Sequence, residues 1–202
     1  MGTPRPVSSS ATLGFRQPWR CRLSARAFSI VGLAIGLLLL PQVAAGQAPE
    51  LGQGWLAEFN MAARQLGELA EATPADKFGW RPEPGVRSIS EIYVHVAVGN
   101  FWLLEQAGVT MPDGLSKLPD KPEKSITDKA EVLKWLQASF EAVRKGYQSA
   151  DRQKKVQFFG EETTSDHVFL RILVHNHEHM GQAIAYARTN AIVPPWSKAS
   201  GE

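Results

Sequence analysis

The chain has 202 residues, 44% hydrophobic and 21% charged, an ordinary composition for a folded protein. Its formal charge of +2 is unevenly spread: Arg5, Arg16, Arg20, Arg22 and Arg26 stand in the first 45 residues, which hold no acid. Without them 17 basic residues face 20 acidic ones, a net charge of −3 with only Lys154-Lys155 as a local basic cluster, so a nucleic-acid partner is not expected.

The basic start is followed by an apolar run from Ala27 to Leu40 and then by Pro41-Gln-Val-Ala-Ala-Gly46. Charged beginning, short apolar middle and small residues at the end describe a secretory signal peptide over residues 1–45, with Val43 and Ala45 suited to a cleavage site. An uncleaved membrane anchor is the competing reading. The run has 14 residues, short of the roughly 20 that a spanning helix needs. The expectation is therefore an exported protein, periplasmic or extracellular, with no stable membrane span once the signal is cleaved. Residues 46–202 would form one domain. Cys21, the only cysteine, lies in the leader, so the domain has no disulfide and no thiolate nucleophile.

Four helices and no strand are expected after the leader. The first runs from about Leu51 to Ala72, where Trp55, Phe59, Ala62, Leu66 and Leu69 recur at spacings of 4, 3, 4 and 3. Thr73-Pro74 stops it. The second begins at Ser88, where Ser88-Ile-Ser-Glu91 reads as a capping box, and Gly108 marks its end. A proline-bearing connection from about Gly108 to Ile126 is long for a loop in a compact domain. A crossover spanning a bundle explains it and lets helices two and three run parallel. The third helix starts near Thr127 with Leu133, Leu136, Phe140, Val143 and Tyr147 as its stripe. A polar loop covers Asp151 to Thr164, and Ser165 caps the fourth helix, which ends before Pro194-Pro195. The fold class is all-α: a four-helix bundle with a long crossover between helices 2 and 3.

The fourth helix departs from the apolar pattern. From Val168 its stripe continues through Ile172, His175, His179, Gln182 and Tyr186. At about 100° per residue, His179 lies about 40° from His175 and Gln182 about 20° to the other side, so all three point into the bundle. Unpartnered, each buried polar group costs about 1–3 kcal/mol. Hydrogen bonds among core side chains are one remedy. A metal ion is the other, because histidines at i and i+4 present two ring nitrogens to one ion. His95 on helix two, beside the Ile92/Val96/Gly99 stripe, supplies a third ligand, and Gly99 leaves room for a neighbouring helix or a ligand. Three imidazoles plus an open position form a catalytic type of coordination sphere. His177 lies about 200° from His175 and faces away, His167 lies about 80° off, and Glu178 is expected in a salt bridge or in solvent.

At these residues the chain resembles the DinB/YfiT-like superfamily. Phe78-Gly-Trp80-Arg81-Pro82, Val86-Arg-Ser88-Ile-Ser-Glu91 and His95 are similar to that family's approach to helix two. His175-Asn-His-Glu-His179-Met-Gly181-Gln182, Tyr186-Ala-Arg188 and Val193-Pro194-Pro195 are similar to its last helix and tail. The resemblance implies a four-helix bundle with a long crossover, a homodimer, and zinc or nickel held by His95, His175 and His179. Relatives of this kind include thiol-dependent transferases or isomerases and hydrolases. Export, away from low-molecular-weight thiols, sets this chain apart from the thiol users.

The expected function is a divalent-metal-dependent enzyme of hydrolase or transferase type acting on a small molecule. Gln182 would orient substrate or water, and Trp102 and Tyr186 would line an apolar wall. Glu91, about one turn before His95, is the nearest carboxylate. A non-catalytic metal- or ligand-binding bundle is the alternative, and a bundle with hydrogen-bonded core histidines is a third reading.

Overall fold

The computed structural model describes residues 54–111 and 118–199, so the expected leader and its cleavage site lie outside the described residues. Four long helices carry the fold: α1 (Trp55–Ala72), α2 (Ile89–Gln106), α4 (Lys129–Ser149) and α5 (Ser165–Thr189). Between them stand a one-turn helix α3 (Pro122–Ser125) and a hairpin of β1 (Lys155–Phe158) and β2 (Glu161–Thr164), with a short α6 (Pro195–Ala199) at the end. None of the described helices is long and apolar enough to cross a membrane.

Helix boundaries follow the local chemistry. The Ser88 side chain accepts from the Glu91 amide at 3.3 Å while the Glu91 carboxylate accepts from the Ser88 amide at 2.9 Å, so both halves of the expected capping box are present. At the other end Gly108 adopts φ 76°, and the amides of Gly108 and Val109 reach back to the carbonyls of Glu105 and Leu104. That pair of bonds is a Schellman stop, which needs a left-handed residue at this position. Asp128 caps α4 by accepting from the Glu131 amide at 3.0 Å.

Packing places α2 against α4 and α5, and α1 against α5 and α4. The ring of the bundle therefore reads α1, α4, α2, α5. Directions follow from the cross-helix bonds. Lys129, at the start of α4, donates to the carbonyls of Glu71 and Thr73 at the end of α1, so these helices are antiparallel. Asn100 donates to Ser139 in mid-helix while Leu104 lies against Gly146, so α2 and α4 run parallel, as the crossover requires. Ser165, at the start of α5, donates to the Ala107 carbonyl at the end of α2, making that pair antiparallel. The core closes on Phe59, Leu66, Ile92, Phe140, Phe169 and Ile172, all fully buried.

Two expectations about the region before α5 are corrected. Residues 155–164 are not a plain loop: Lys155 to Phe158 pair antiparallel with Glu161 to Thr164. The two turn residues, Phe159 and Gly160, both have positive φ, 50° and 86°, as a type I′ hairpin turn demands. Phenylalanine at the first turn position and strands of four residues hide the signal that Asn-Gly would have given. Nor does Ser165 cap α5. Thr164 does, accepting from the His167 amide at 3.4 Å, because the Ser165 hydroxyl is buried and donates to Ala107.

Replacing Gly108 by alanine puts an L side chain in the left-handed region at a cost of about 1–2 kcal/mol. The nearest atoms to the added Cβ belong to the flexible end of Lys154, so backbone strain dominates. Thermal denaturation should show a lower Tm for Gly108→Ala and a smaller loss for Gly108→Asn; equal Tm values for wild type and Gly108→Ala would contradict the assigned stop.

Candidate metal centre

Antiparallel packing of α2 on α5 brings His95 opposite the two histidines one turn apart on α5. Ring centroids of His95 and His175 are 5.0 Å apart, and those of His95–His179 and His175–His179 are each 4.6 Å. One ring nitrogen from each of the three lies within 4.8 Å of the others. The expected trio is thus assembled.

Each ring is held differently. His95 donates from Nδ1 to Oε1 of Glu123 at 2.8 Å, and His179 donates from Nδ1 to Oε1 of Gln182 at 2.9 Å. In the neutral ring, each of these bonds places the lone pair on Nε2, the nitrogen turned toward the cluster. The Nε2 of His175 lies 3.2 Å from that of His95. His175 is 8% exposed, its Nδ1 has no hydrogen-bond partner, and it is fixed by packing instead. A Cβ at position 99 would stand 2.3 Å from its Cε1, so only glycine admits the ring. The room left by Gly99 is filled by His175.

These residues fit a metal ion. Nitrogens bound tetrahedrally at ~2.0–2.1 Å stand about 3.3 Å apart, close to the 3.2 Å between His95 and His175. Oriented partners on the far nitrogens of His95 and His179 are the usual supports of ligating imidazoles. Ligation also needs neutral rings. Burial, reinforced by His179 and His95, pushes the His175 pKa down to about 3. Burial lowers His179 as well, against the opposing bond from Gln182.

Glu123 is the residue that sequence reasoning missed. It sits on α3, whose single turn starts with Pro122 at its first position, and no periodicity marks it. Arg87 grips it from Nε at 2.8 Å and Nη2 at 3.4 Å. Burial would raise the Glu123 carboxyl, but the bonds from Arg87 and His95 hold it below the usual carboxylate range. Glu91, the expected nearest carboxylate, is instead committed to the cap, to both Nη atoms of Arg81 and to Lys124 at 2.7 Å. Burial opposes its ionisation, yet these partners bring its pKa down to about 2. Proximity along one helix misjudged it because its side chain turns back to the helix start.

Gln182 joins the cluster through His179 and donates from Nε2 to Tyr186 at 3.3 Å, with the Trp80 ring edge-on to Tyr186. Trp102 does not line this site. It is 42% exposed and packs on Phe158 and Phe159 of the hairpin, two turns from His95 and at the other end of α2. His177 bonds the Leu173 carbonyl away from the trio, the exposed His167 lies against Phe158, and Glu178 pairs with Arg171 as expected. An open cleft of about 470 Å³ is lined by Val86, Arg87, Glu91, Glu123, Lys124 and Gln182, so it reaches the histidines through the partners of His95 and His179.

A bundle with a parallel α2–α4 pair and three imidazoles meeting between its second and last long helices defines a helical protein with a site able to hold a metal ion. The chain belongs to the DinB superfamily, whose family model matches residues 58–183. The fold is shared with two crystal structures. One is a DinB-like protein from Bacillus cereus ATCC 10987, 14% identical, covering 70% of this chain and 93% of that one with a TM-score of 0.58. The other is a conserved protein from Enterococcus faecalis, 14% identical, covering 66% and 93% with a TM-score of 0.51. No curated protein sequence matches significantly.

The depressed histidine pKa values carry a stability consequence. Between the ordinary value of 6.5 and about 3 the unfolded chain binds a proton at His175 that the folded protein does not. That contribution is complete above pH 6.5 and is lost as pH falls through this window. The Tm of metal-free protein should therefore drop between pH 7 and 5, before the lowered carboxyls of Glu91 and Glu123 titrate. The drop should be smaller in His175→Gln; an identical drop in both proteins would remove His175 as its source.

Proposed function

We propose that this protein is an exported metal-dependent enzyme of hydrolase or transferase type, with one divalent ion, zinc or nickel, held by His95, His175 and His179. The observation that carries the reading is the convergence of three ring nitrogens within 4.8 Å, two of them backed by acceptors that fix the tautomer. Bound there, a divalent ion with an open position supplies Lewis acidity and lowers the pKa of water or a thiol. Imidazole ligands admit either metal. Export rests on the composition of the leader.

The chain's own residues have separate tasks in this reading. Glu123, fixed by Arg87, keeps the proton of His95 on Nδ1 and its lone pair on Nε2. Gln182 does the same for His179 and is a positioning residue, its amide nitrogen anchored on Tyr186. Burial keeps His175 neutral, and packing against Gly99 keeps it in place. The cleft beside Glu123 and Gln182 gives a small molecule its approach.

One observation favours the alternative, a bundle that binds metal without turnover. Both nearby carboxylates are tied up, Glu91 by Arg81 and Lys124 and Glu123 by Arg87 and His95, so neither stands ready as a general base.

Elemental analysis of untagged protein should find about one zinc or nickel per chain, lost in His175→Ala with the fold intact. Unchanged metal in that variant would sink the site. Hydrolysis across a panel of simple esters that disappears in His95→Ala would select the enzyme over the non-catalytic bundle, and no turnover by the loaded protein would select the reverse. Glu123→Gln keeps all three ligands but weakens the orientation of His95. Competition with a chromogenic chelator should show metal affinity reduced about 10-fold or more; an unaltered affinity would deny Glu123 its supporting role.

A further inference from the structure

The cleft beside the histidines has an uneven supply of hydrogen-bonding groups. Glu91 accepts at Oε1 from Arg81 and Lys124 and at Oε2 from Arg81 and the Ser88 amide, which fills the roughly four lone-pair sites of a carboxylate. Glu123 accepts at Oε1 from His95 and Arg87 and at Oε2 from Arg87. The donors are far from used up. Lys124 has three N–H groups and one bond to a described residue, with its side chain 64% exposed at the cleft. Arg87 has five and places two of them on Glu123, with no bond from Nη1 to a described residue. Within the lining Arg87 and Lys124 balance Glu91 and Glu123, and Arg81, paired with Glu91 behind the wall, adds one positive charge.

We propose that the cleft receives a small molecule through an oxyanion group, carboxylate or phosphate, held by Lys124 and the Nη1 edge of Arg87. The rest of the ligand then lies toward the histidines, because Glu123 and Gln182 form both the cleft wall and the outer support of His95 and His179. A cationic or purely donating ligand finds Glu91 filled and a single remaining site on Oε2 of Glu123. An oxyanion finds charge-assisted donors already positioned by the ion pairs behind them. This names a substrate class for the metal-centre reading and rests on it for the ligand's orientation, whereas the oxyanion contact itself needs no metal.

Titration calorimetry with inorganic phosphate, and separately with succinate, at constant ionic strength tests it. Both probes should bind saturably to wild type, and Lys124→Gln should weaken binding about fivefold, the size of an exposed charge pair. Lys124→Arg should restore it. Tighter binding of succinate than of phosphate would assign the group as carboxylate, and the reverse order as phosphate. The same Lys124 dependence is expected in His175→Ala. Absence of saturable binding, or equal affinity in wild type and Lys124→Gln, overturns the cleft assignment. Retention of metal by His175→Ala overturns the metal reading instead and leaves the phosphate result standing.

Discussion

Antiparallel contact between α2 and α5 is the constraint on which the site depends. Along this one interface the helices exchange a buried amide pair, Asn176 donating to Asn100 at 2.7 Å, an end clamp from Ser165 to Ala107, and the three imidazoles. Asn100 also donates to Ser139 on α4, so the polar chain crosses three helices through the middle of the core. Buried amides of this kind are costly to mispair, and a one-residue slip of α5 would strand both. Register is thereby set at the residue next to His175, and the geometry of the histidine cluster inherits it.

The three histidines also illustrate how one glycine enables a site without touching a ligand's polar atoms. Helices usually meet at 8–10 Å, with side chains between them. At Gly99 the imidazole of His175 occupies the space a side chain would take, which brings its Nε2 to 3.2 Å from that of His95. The orientation of His95 comes from outside this pair, from Glu123 in the crossover. The long connection between α2 and α4 therefore returns the chain to the starting end of α2, which keeps α4 parallel, and delivers a carboxylate to the site.

What the sequence discloses depends on the range of the physics involved. The stripe through Ile172, His175, His179 and Gln182 is periodic, so its inward orientation was readable, as was the Ser88–Glu91 cap, which lies within one turn. The parallel α2–α4 pair was readable from the length of the crossover alone. Glu123 was not, because a contact between residues 28 apart through a single helical turn leaves no spacing to detect. Trp102, expected on the apolar wall, stands two turns along the axis from His95, against the hairpin. Periodicity gives angle; axial depth is supplied by the partner helix.

The ring order of the bundle has a consequence for how the chain acquires its structure. Its first two long helices are diagonal neighbours, so they cannot form a stable helical hairpin with each other as they emerge. Among the four long helices, α1 packs against α4 and α5, and α2 against the same two. Nearly every stabilising interhelical contact therefore joins the first half of the chain to the second, raising contact order above that of an up-down-up-down bundle. Until α5 is made, the chain is a set of amphipathic helices without a closed core, and the last helix to be synthesised completes both the hydrophobic interior and the histidine cluster.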